Sequence, residues 1–198
     1  ASWRPFIDFS TTLATAEKGA GSRAEAPLAN FLTALASVAT AYAIEQSCKI
    51  TTQIKWPNDI WINQHKIAGI LVEASFSSNF PEWFVVGIGI NVNSKPPTDT
   101  TFTYPVSCIA NIIGKPVNRL TILQSLVHNF GNLYTKPDSV NIIDEWNKRM
   151  LWKNQQIEIK TTNNIIVGMA SKICKNGELQ IRLNNGEYHQ IHSGELKL

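Results

Sequence analysis

Cysteine is scarce in this chain, and its placement excludes two kinds of small domain. The three cysteines, Cys48, Cys108 and Cys174, are far apart and show no Cys-x-x-Cys spacing. A disulfide framework and a structural zinc site both need closely spaced pairs. Isolated thiols of this kind are typical of a reducing compartment, so we expect a cytoplasmic location.

Strong charge and long apolar runs are also missing. The net charge is +3, from 18 Lys and Arg against 15 Asp and Glu, and the lysines are scattered. That balance argues against a DNA-binding surface. No uninterrupted apolar run reaches the length of about 18 residues that a membrane span requires, so we expect no membrane contact. The first ten residues do not resemble a signal peptide, and the absence of an initial Met suggests a processed or partial product.

The usual motifs of covalent catalysis are absent as well. The sequence contains no Gly-x-Ser-x-Gly, no cysteine lies beside a histidine, and the four histidines share no metal-binding spacing. Gly87-Ile88-Gly89 lacks the third glycine and the following helix of a dinucleotide-binding loop. Any chemistry must therefore come from a different set of residues.

The hydrophobic pattern of the first 152 residues predicts an α/β domain. Runs of β-branched and aromatic residues predict strands, and the apolar spacing after Pro27 predicts a largely buried helix. Asn63-Gln64-His65 has the composition of a hairpin turn. We predict strands at 6–15, 49–56, 59–63, 66–75 and 83–93, and helices at 27–46, 119–134 and 139–151. The expected architecture is a mixed, mostly antiparallel sheet backed by helices 27–46 and 119–134.

After Trp152 the pattern changes to short alternating strands separated by turns. The turns are TNN at 162–164, KNGE at 175–178 and NNGE at 184–187. We therefore predict two domains, residues 1–152 and residues 153–198, the second a small antiparallel β-barrel. A barrel of this size builds little core by itself, so it should pack on the first domain.

The segment KWPNDIWINQHKIAGILVE, residues 55–73, places charges in an apolar, strand-like stretch. Lys55 and Lys66 are either solvated strand residues or cations that point into a pocket. Residues 67–73 are so apolar that the strand should be buried on both faces, which favours a pocket where Lys66 meets a phosphate or carboxylate. Asp59 is either ordinary Pro-Asn-Asp turn chemistry, or a carboxylate for Mg²⁺ or for a proton from an amine.

Gly87 and Gly89 leave two interpretations open. Glycines inside a strand let a flat ligand approach the backbone closely. They also occur at bulges and at points of tight packing. The sequence pattern alone does not choose between these.

Three motifs in order, KWPND (55–59), KIAGILVE (66–73) and GIGINVN (87–93), resemble the core of the biotin protein ligases. These are the biotin–[acetyl-CoA-carboxylase] ligases, a class that includes the bifunctional repressor-ligases. The similarity continues through residues 105–126, DEWNKRML and the C-terminal SGEL, and covers most of residues 27–198. It implies a class II synthetase-like, biotin/lipoate ligase-like α+β domain followed by an SH3-like barrel.

One part of the family pattern is not found. The family's Ser-Thr-Asn segment and its Gly-Arg-Gly-Arg-x-Gly-Arg loop have no counterpart, and GAGSR at 19–23 lies too close to KWPND to replace the loop. The winged-helix DNA-binding domain of the repressor class is also missing. The resemblance therefore implies a catalytic domain that is incomplete at its N-terminus.

The resemblance also implies the site residues. Lys66 would contact the biotin carboxylate and the α-phosphate of ATP, and Asp59 would lie near Mg²⁺ and receive a proton from the acceptor lysine. These two are the expected catalytic residues, with Asp59 the expected metal ligand. Biotin would be bound by Lys66, Gly69, Leu71, Gly87 and Gly89, and ATP by Trp3, Lys55, Asn58 and Asn91.

The implied reaction forms biotinyl-5′-AMP from biotin and ATP with Mg²⁺, and then biotinylates a lysine of a biotin carboxyl carrier protein, a subunit of acetyl-CoA carboxylase. A homodimer is a further possibility, through the exposed side of the sheet. Two alternatives remain open at this point. One is lipoate or octanoate transfer on the same fold. The other is an incomplete or non-catalytic remnant that binds a ligand or partner.

Overall fold

The computed structural model describes residues 10–11, 25–77, 80–95, 104–136, 140–161 and 164–197. Its first element after the N-terminal strand is α1 (Glu25–Cys48). The predicted helix 27–46 is confirmed and is one turn longer in total, with Pro27 in its first turn. The hydroxyls of Thr33 and Thr40 donate to carbonyls four residues earlier, so both polar side chains are accommodated inside the helix.

The first sheet has the order β1-β5-β4-β3-β2 and is antiparallel throughout, where a mixed, mostly antiparallel sheet was predicted. Its strands are β1 (Ser10–Thr11), β2 (Gln53–Lys55), β3 (Asp59–Ile62), β4 (His65–Ser77) and β5 (Phe80–Ile90). Most of the predicted strand 6–15 lies outside the described residues. Asn63 and Gln64 both have positive φ, 47° and 65°, which is the conformation of a tight hairpin turn between β3 and β4.

The two faces of this sheet differ. Ile60, Ile70 and Ile88 are buried in the same core as α1. The opposite face is open, and Leu71 on it is 60 % exposed. The prediction that residues 67–73 are buried on both faces is therefore wrong at Leu71. Glycines lie beside Leu71 on this face and supply no side chains to cover it.

Three further helices complete the first part of the chain: α2 (Ile109–Ile113), α3 (Arg119–Thr135) and α4 (Ile142–Arg149). The pattern did not predict the short α2. For α4 the N-terminal cap is Asn141, whose side chain accepts from the Asp144 amide. The predicted helix 139–151 starts earlier, at Ser139, which lies outside the described residues. Both α3 and α4 pack against α1, so α1 is enclosed by the sheet on one side and helices on the other.

The second sheet has the order β10-β6-β7-β8-β9 and is also antiparallel. Its strands are β6 (Gln156–Lys160), β7 (Ile165–Ile173), β8 (Leu179–Arg182), β9 (Tyr188–Ile191) and β10 (Glu195–Lys197). Four of these five were predicted, and β10 was not. The SH3-like closure of the barrel and the domain boundary after residue 152 stay predictions.

The two sheets are tied together next to β2. The amide of Leu151 donates to the Ile54 carbonyl at 2.9 Å. Asn147 of α4 bonds both backbone groups of Ile173, accepting from its amide at 2.8 Å and donating to its carbonyl at 3.0 Å. The chain segment that leaves α4 is therefore fixed to both sheets.

One helix meets the length and composition of a membrane span, which corrects the expectation that none would. The segment is Leu28–Cys48 within α1. Most of it is buried inside the protein, between the sheet and α3 and α4. This is the environment of a core helix.

A charged network joins α1 to α4. Arg149 donates to both carboxylate oxygens of Glu45, at 3.1 and 2.8 Å, and to Glu145 Oε2 at 2.7 Å. Its guanidinium also lies 4.9 Å from the ring centre of Tyr42. Burial alone would raise the pKa of Glu45, but the hydrogen bonds from Arg149 and Thr52 outweigh it and lower that pKa. Arg149 thus serves two carboxylates in a partly buried position.

Replacing Arg149 with Met should destabilise the fold, because it leaves the partly buried Glu45 without its cation and removes one of the two cations paired with Glu145. We expect a loss of about 2–3 kcal/mol in the free energy of unfolding, measured by urea titration of tryptophan fluorescence. Lys148→Met is the matched control on the same helix. Lys148 pairs with Glu145 but is 68 % exposed, so its loss should cost less than about 1 kcal/mol. Equal losses in the two variants would contradict the assignment.

The same network predicts how stability depends on acid. Hydrogen bonding from Lys148, and then from Tyr42 and Arg149, lowers the pKa of Glu145 to about 2. A carboxylate with a lowered pKa stabilises the fold above its unfolded value, near 4.5, and that stabilisation disappears as the pH falls towards 2. Glu145→Gln should therefore be less stable than the parent at pH 7 and equally stable near pH 2. A constant difference from pH 7 to pH 2 would reject this explanation.

Candidate active site

A single row of residues crosses four strands on the open face of the first sheet. Lys55 of β2 pairs with Asp59 of β3, Asp59 with Gly69 of β4, and Gly69 with Gly89 of β5. Directly paired residues project from the same face of a sheet. Charged side chains thus occupy one end of the row and two glycines the other.

Lys66 joins this row because of a bulge. Ile60 pairs with Ala68 but Trp61 pairs with Lys66, so Ile67 is an extra residue in β4. In a regular strand Lys66 and Gly69 would project from opposite faces, since they are three residues apart. The bulge brings them to the same face. Lys66 Nζ accordingly lies 2.5 Å from Asp59 Oδ1.

The Lys66–Asp59 pair is accessible but not fully solvated. The Lys66 side chain is 35 % exposed and the Asp59 side chain 13 %. A Cβ at Gly69 would lie 3.5 Å from Lys66 Nζ and from Asp59 Oδ1. Gly69 therefore forms the floor beneath the ion pair, and a Cβ at this position would be in van der Waals contact with both groups.

The backbone of Lys66 is fixed by the segment that follows the loop after β5. The Lys66 amide donates to the Pro105 carbonyl at 2.9 Å, and the Ser107 amide donates to the Lys66 carbonyl at 3.1 Å. Asn91 completes this support, because its amide donates to Ile67 O and its side chain to Ser107 O at 3.1 Å. The described contacts of Asn91 are thus with backbone, and its predicted role in ATP binding stays a prediction.

The turn between β2 and β3 is held in the same way. Asn58 exchanges two hydrogen bonds with Ile70, accepting from its amide at 2.9 Å and donating through its side chain to its carbonyl at 2.7 Å. The Trp56–Pro57 peptide bond is cis. The Trp56 indole nitrogen donates to the Gly177 carbonyl in the turn between β7 and β8, at 2.9 Å. The KWPND turn is therefore anchored to β4 and to the second sheet.

Lys55 is placed differently from Lys66. It is only 5 % exposed. Its Nζ lies 4.1 Å from the ring centre of Tyr104 and 5.6 Å from that of Trp152. Burial lowers the pKa of Lys55 below its ordinary value. The nearby charge of Lys66 adds to this effect, and those of Asp59 and Glu195 oppose it. Lys55 is thus a cation held beneath aromatic rings beside the site.

Tyr104, Trp152 and Trp61 form this aromatic group, and the sequence pattern did not identify any of them. Trp61 lies 5.4 Å from Tyr104 and 6.0 Å from Trp152, between ring centres. Trp61 is in β3, Tyr104 is at the end of a Pro- and Thr-rich loop, and Trp152 is in the turn after α4. In the sequence, Tyr104 and Trp152 are aromatic residues at the boundaries of two segments. That position does not reveal that their rings are in contact.

The rest of the open face suits an apolar ligand. Leu71 pairs with Gly87 in the row next to Gly69 and Gly89. A strip without large side chains, bordered by an exposed leucine, lets a flat ring system lie against the backbone. Of the predicted site residues, the structure brings together Lys55, Asp59, Lys66, Gly69 and Gly89 in the row described, with Leu71 and Gly87 beside them. Trp3 lies outside the described residues.

The described residues offer little to hold a metal ion by themselves. No group of three or more His, Cys, Asp or Glu side chains is found among them. Asp59 is the one predicted metal ligand, and its Oδ1 faces Lys66. This donor set fits Mg²⁺, which proteins often bind through one or two carboxylates together with substrate phosphates.

The fold and the row are similar to those of the biotin and lipoate protein ligases. The model of the Biotin/lipoate A/B protein ligase family matches residues 7–91, the stretch that contains Lys55, Asp59 and Lys66. The apo structure of biotin protein ligase from Aquifex aeolicus has the same fold, with a TM-score of 0.74 at 22 % identity. That match covers 85 % of this chain and 75 % of that one. The Aquifex ligase also has a structure in complex with biotin and ATP.

Within the biotin and lipoate ligases, the sequence relatives of this chain are biotin ligases. The biotin–[acetyl-CoA-carboxylase] ligase of Paracoccus denitrificans is 30 % identical over 185 residues, which are 90 % of this chain and 75 % of that protein. The bifunctional ligase/repressor BirA of Bacillus subtilis is 31 % identical over 177 residues, 84 % of this chain and 52 % of that protein. The chain belongs to the biotin protein ligase family. It spans about half the length of the Bacillus relatives that it matches.

The contact between the KWPND turn and the second sheet gives a matched test at two glycines. Gly177 and Gly186 occupy equivalent turns with φ of 83° and 88°. A Cβ at Gly177 would lie 2.8 Å from Asn30 Cβ, whereas one at Gly186 would have nothing within 4 Å. Gly186→Ala should cost about 1 kcal/mol of stability from backbone strain. Gly177→Ala should cost about 1–3 kcal/mol more, from overpacking against α1.

Urea unfolding of both glycine variants measures the difference. The shared backbone conformation makes Gly186→Ala the control for strain. If the two variants are equally stable, the turn between β7 and β8 is not packed tightly on α1.

Proposed function

We propose that this chain activates biotin with ATP and transfers it to a lysine of a biotin carboxyl carrier protein. The observation that carries the proposal is the Lys66–Asp59 ion pair above Gly69, at the charged end of a glycine strip. A flat, weakly polar ring system fits the strip, and its carboxylate would reach the cationic end. Membership of the family supports the same assignment.

In the first step a biotin carboxylate oxygen attacks the α-phosphorus of ATP. A bond forms between that oxygen and phosphorus, the bond to the β-phosphate oxygen breaks, and pyrophosphate leaves. The two reactants are anions that repel each other until cations neutralise them. Lys66 is the exposed cation at the site, and the charge of Lys55 lies behind it.

In the second step the ε-amine of the acceptor lysine attacks the carbonyl carbon of biotinyl-5′-AMP. The new bond is an amide, the carbon–oxygen bond to the phosphate breaks, and AMP leaves. The amine must lose a proton, and Asp59 is the carboxylate at the site that would accept it. Departure of AMP, and release of the proton from Asp59, would leave Lys66 and Asp59 paired with each other again.

Magnesium would be held by Asp59 and the phosphates of ATP, and it would supply further positive charge at the phosphates. The acceptor, the carrier subunit of acetyl-CoA carboxylase, follows from the relatives' names and is part of the proposal. A homodimer and a cytoplasmic location are further parts of the proposal, and they rest on the sequence alone. Lipoate transfer is the rival within the fold, since the matching family model includes lipoate ligases.

The test is pyrophosphate release by the 198-residue chain with Mg-ATP, with and without biotin. We expect release that depends on biotin and that lipoate does not replace. Lys66→Ala should reduce it by roughly 10²-fold or more, since the variant loses a charge that stabilises the transition state. Lys172→Ala removes an exposed lysine on β7 and should leave the rate unchanged.

Each unexpected result has a definite meaning. Near-normal release in Lys66→Ala would reject the role of that lysine. Release that depends on lipoate would replace biotin as the substrate. If the parent chain binds biotin by calorimetry but releases no pyrophosphate, the catalytic proposal fails and the chain is a binding remnant.

A further inference from the structure

Lys55 is a buried cation with no anion in contact in the part of the chain that the structure describes. Its exposure is 5 %. Within the described ranges its Nζ makes no ion pair, although buried charges are normally paired. The groups that do contact the ammonium are the rings of Tyr104, at 4.1 Å from the ring centre, and Trp152, at 5.6 Å. Both distances are within the range of a cation–π interaction.

The rings are themselves held in place. Tyr104 and Trp152 lie 6.0 Å apart between ring centres, and Trp61 contacts both. Trp152 follows Leu151, whose amide bonds the strand that carries Lys55. Tyr104 precedes Pro105, whose carbonyl accepts from the Lys66 amide. The two residues whose rings contact Lys55 are therefore each next in sequence to a residue that is hydrogen-bonded to the backbone of β2 or β4.

The hydroxyl of Tyr104 is not what holds Lys55. Tyr104 Oη is buried and has no hydrogen-bond partner among the described residues. Burial, together with Glu195 and Asp59, raises the pKa of this hydroxyl to about 12, so it is not a phenolate that could pair with the cation. The contact with Lys55 is made by the ring face.

We propose that Tyr104 and Trp152 are positioning residues for the reaction: they hold the Lys55 ammonium in place, on the strand paired with Asp59, by cation–π contact. The proposal rests on the proposed function. The charged groups that face Lys55 are Asp59 on β3, Lys66 on β4 and Glu195 on β10. Tyr104 itself is neutral.

Contact with aromatic rings affects the charge of Lys55 differently from contact with a carboxylate. A carboxylate in contact with Lys55 would cancel its charge at the site. An aromatic face stabilises the cation but adds no net charge, so the full positive charge remains to attract anions. The substrates of the first step are a carboxylate and a triphosphate, which need that charge. Lys55 thus adds positive potential behind Lys66, which is itself partly neutralised by Asp59.

A series of substitutions at position 104 separates ring charge from ring shape. Tyr104→Phe removes the unpaired hydroxyl. Incorporating mono-, di- and trifluorophenylalanine at position 104 then weakens the negative ring face in steps with little change in size. We expect Tyr104→Phe to keep the activity and melting temperature of the parent. Along the fluorinated series, kcat for pyrophosphate release and the affinity for ATP should fall by roughly 3- to 10-fold, while KM for biotin stays unchanged.

A direct readout of Lys55 accompanies the kinetics. The Cε resonance of Lys55 in ¹³C-lysine-labelled protein, assigned by its loss in Lys55→Met, reports the titration of the ammonium. Its pKa should fall in steps along the fluorinated series, because a weaker ring face stabilises the cation less. The same series at Tyr134, which stacks on Phe130, is the control and should leave Lys55 unchanged.

The outcomes separate this inference from the proposed function. An unchanged Lys55 titration along the series overturns the cation–π contact. A falling pKa with unchanged kcat and ATP affinity overturns the positioning role. If the parent chain shows no biotin-dependent release, the proposed function fails. In that case a stepwise loss of ATP affinity together with the falling pKa supports the role of the rings, and a flat ATP affinity, or no ATP binding by the parent, rejects it.

Discussion

The register of the β3–β4 pair is the constraint on which the candidate site depends. Ile67 is one residue more than a regular ladder would hold. Without it Lys66 would project from the face that packs on α1, where a lysine would be buried among isoleucines. With it Lys66 meets Asp59 above Gly69. A local irregularity of the strand therefore decides whether the site has its exposed cation.

A second layer of interactions keeps that register in place. The Lys66 amide and carbonyl are bonded to residues 105 and 107, and Asn58 closes the preceding turn on Ile70. Trp56 is bonded to the turn of the second sheet. The C-terminal sheet thus supports the KWPND turn. The hydrogen bonds of Arg149 hold α4 against α1, and the chain passes from α4 into the C-terminal sheet. Stability and site geometry share these contacts.

The sequence predicted the elements better than the contacts between them. The strands around KWPND, the Asn63-Gln64 turn and helices α1 and α3 follow from hydrophobic periodicity and turn residues, which are local properties. The short α2 and β10 were missed because they carry too few residues for a periodicity. The openness of the face at Leu71 was also missed, because an apolar run does not reveal that its cross-strand neighbours are glycines.

The candidate site shows the same division. The motifs pointed to Lys66, Asp59 and the glycines, and the structure brings these together. The bulge at Ile67 could not be predicted, since it depends on how two strands pair and not on either strand alone. The group of Tyr104, Trp61 and Trp152 depends on three segments far apart in the chain. Long-range convergence of this kind leaves no signature in a single sequence.

The two lysines of the site are stabilised in different ways when no anionic substrate is bound. Lys66 is partly exposed and is paired with Asp59, so an incoming carboxylate or phosphate must compete with that aspartate for it. Lys55 is buried and is contacted by neutral rings, and no described carboxylate forms an ion pair with it. An exchangeable ion pair next to a cation that is stabilised by aromatic rings lets the site attract anions without holding a buried, unpaired carboxylate when it is empty. This arrangement suits a reaction in which two anions must first meet and an amine must later give up a proton.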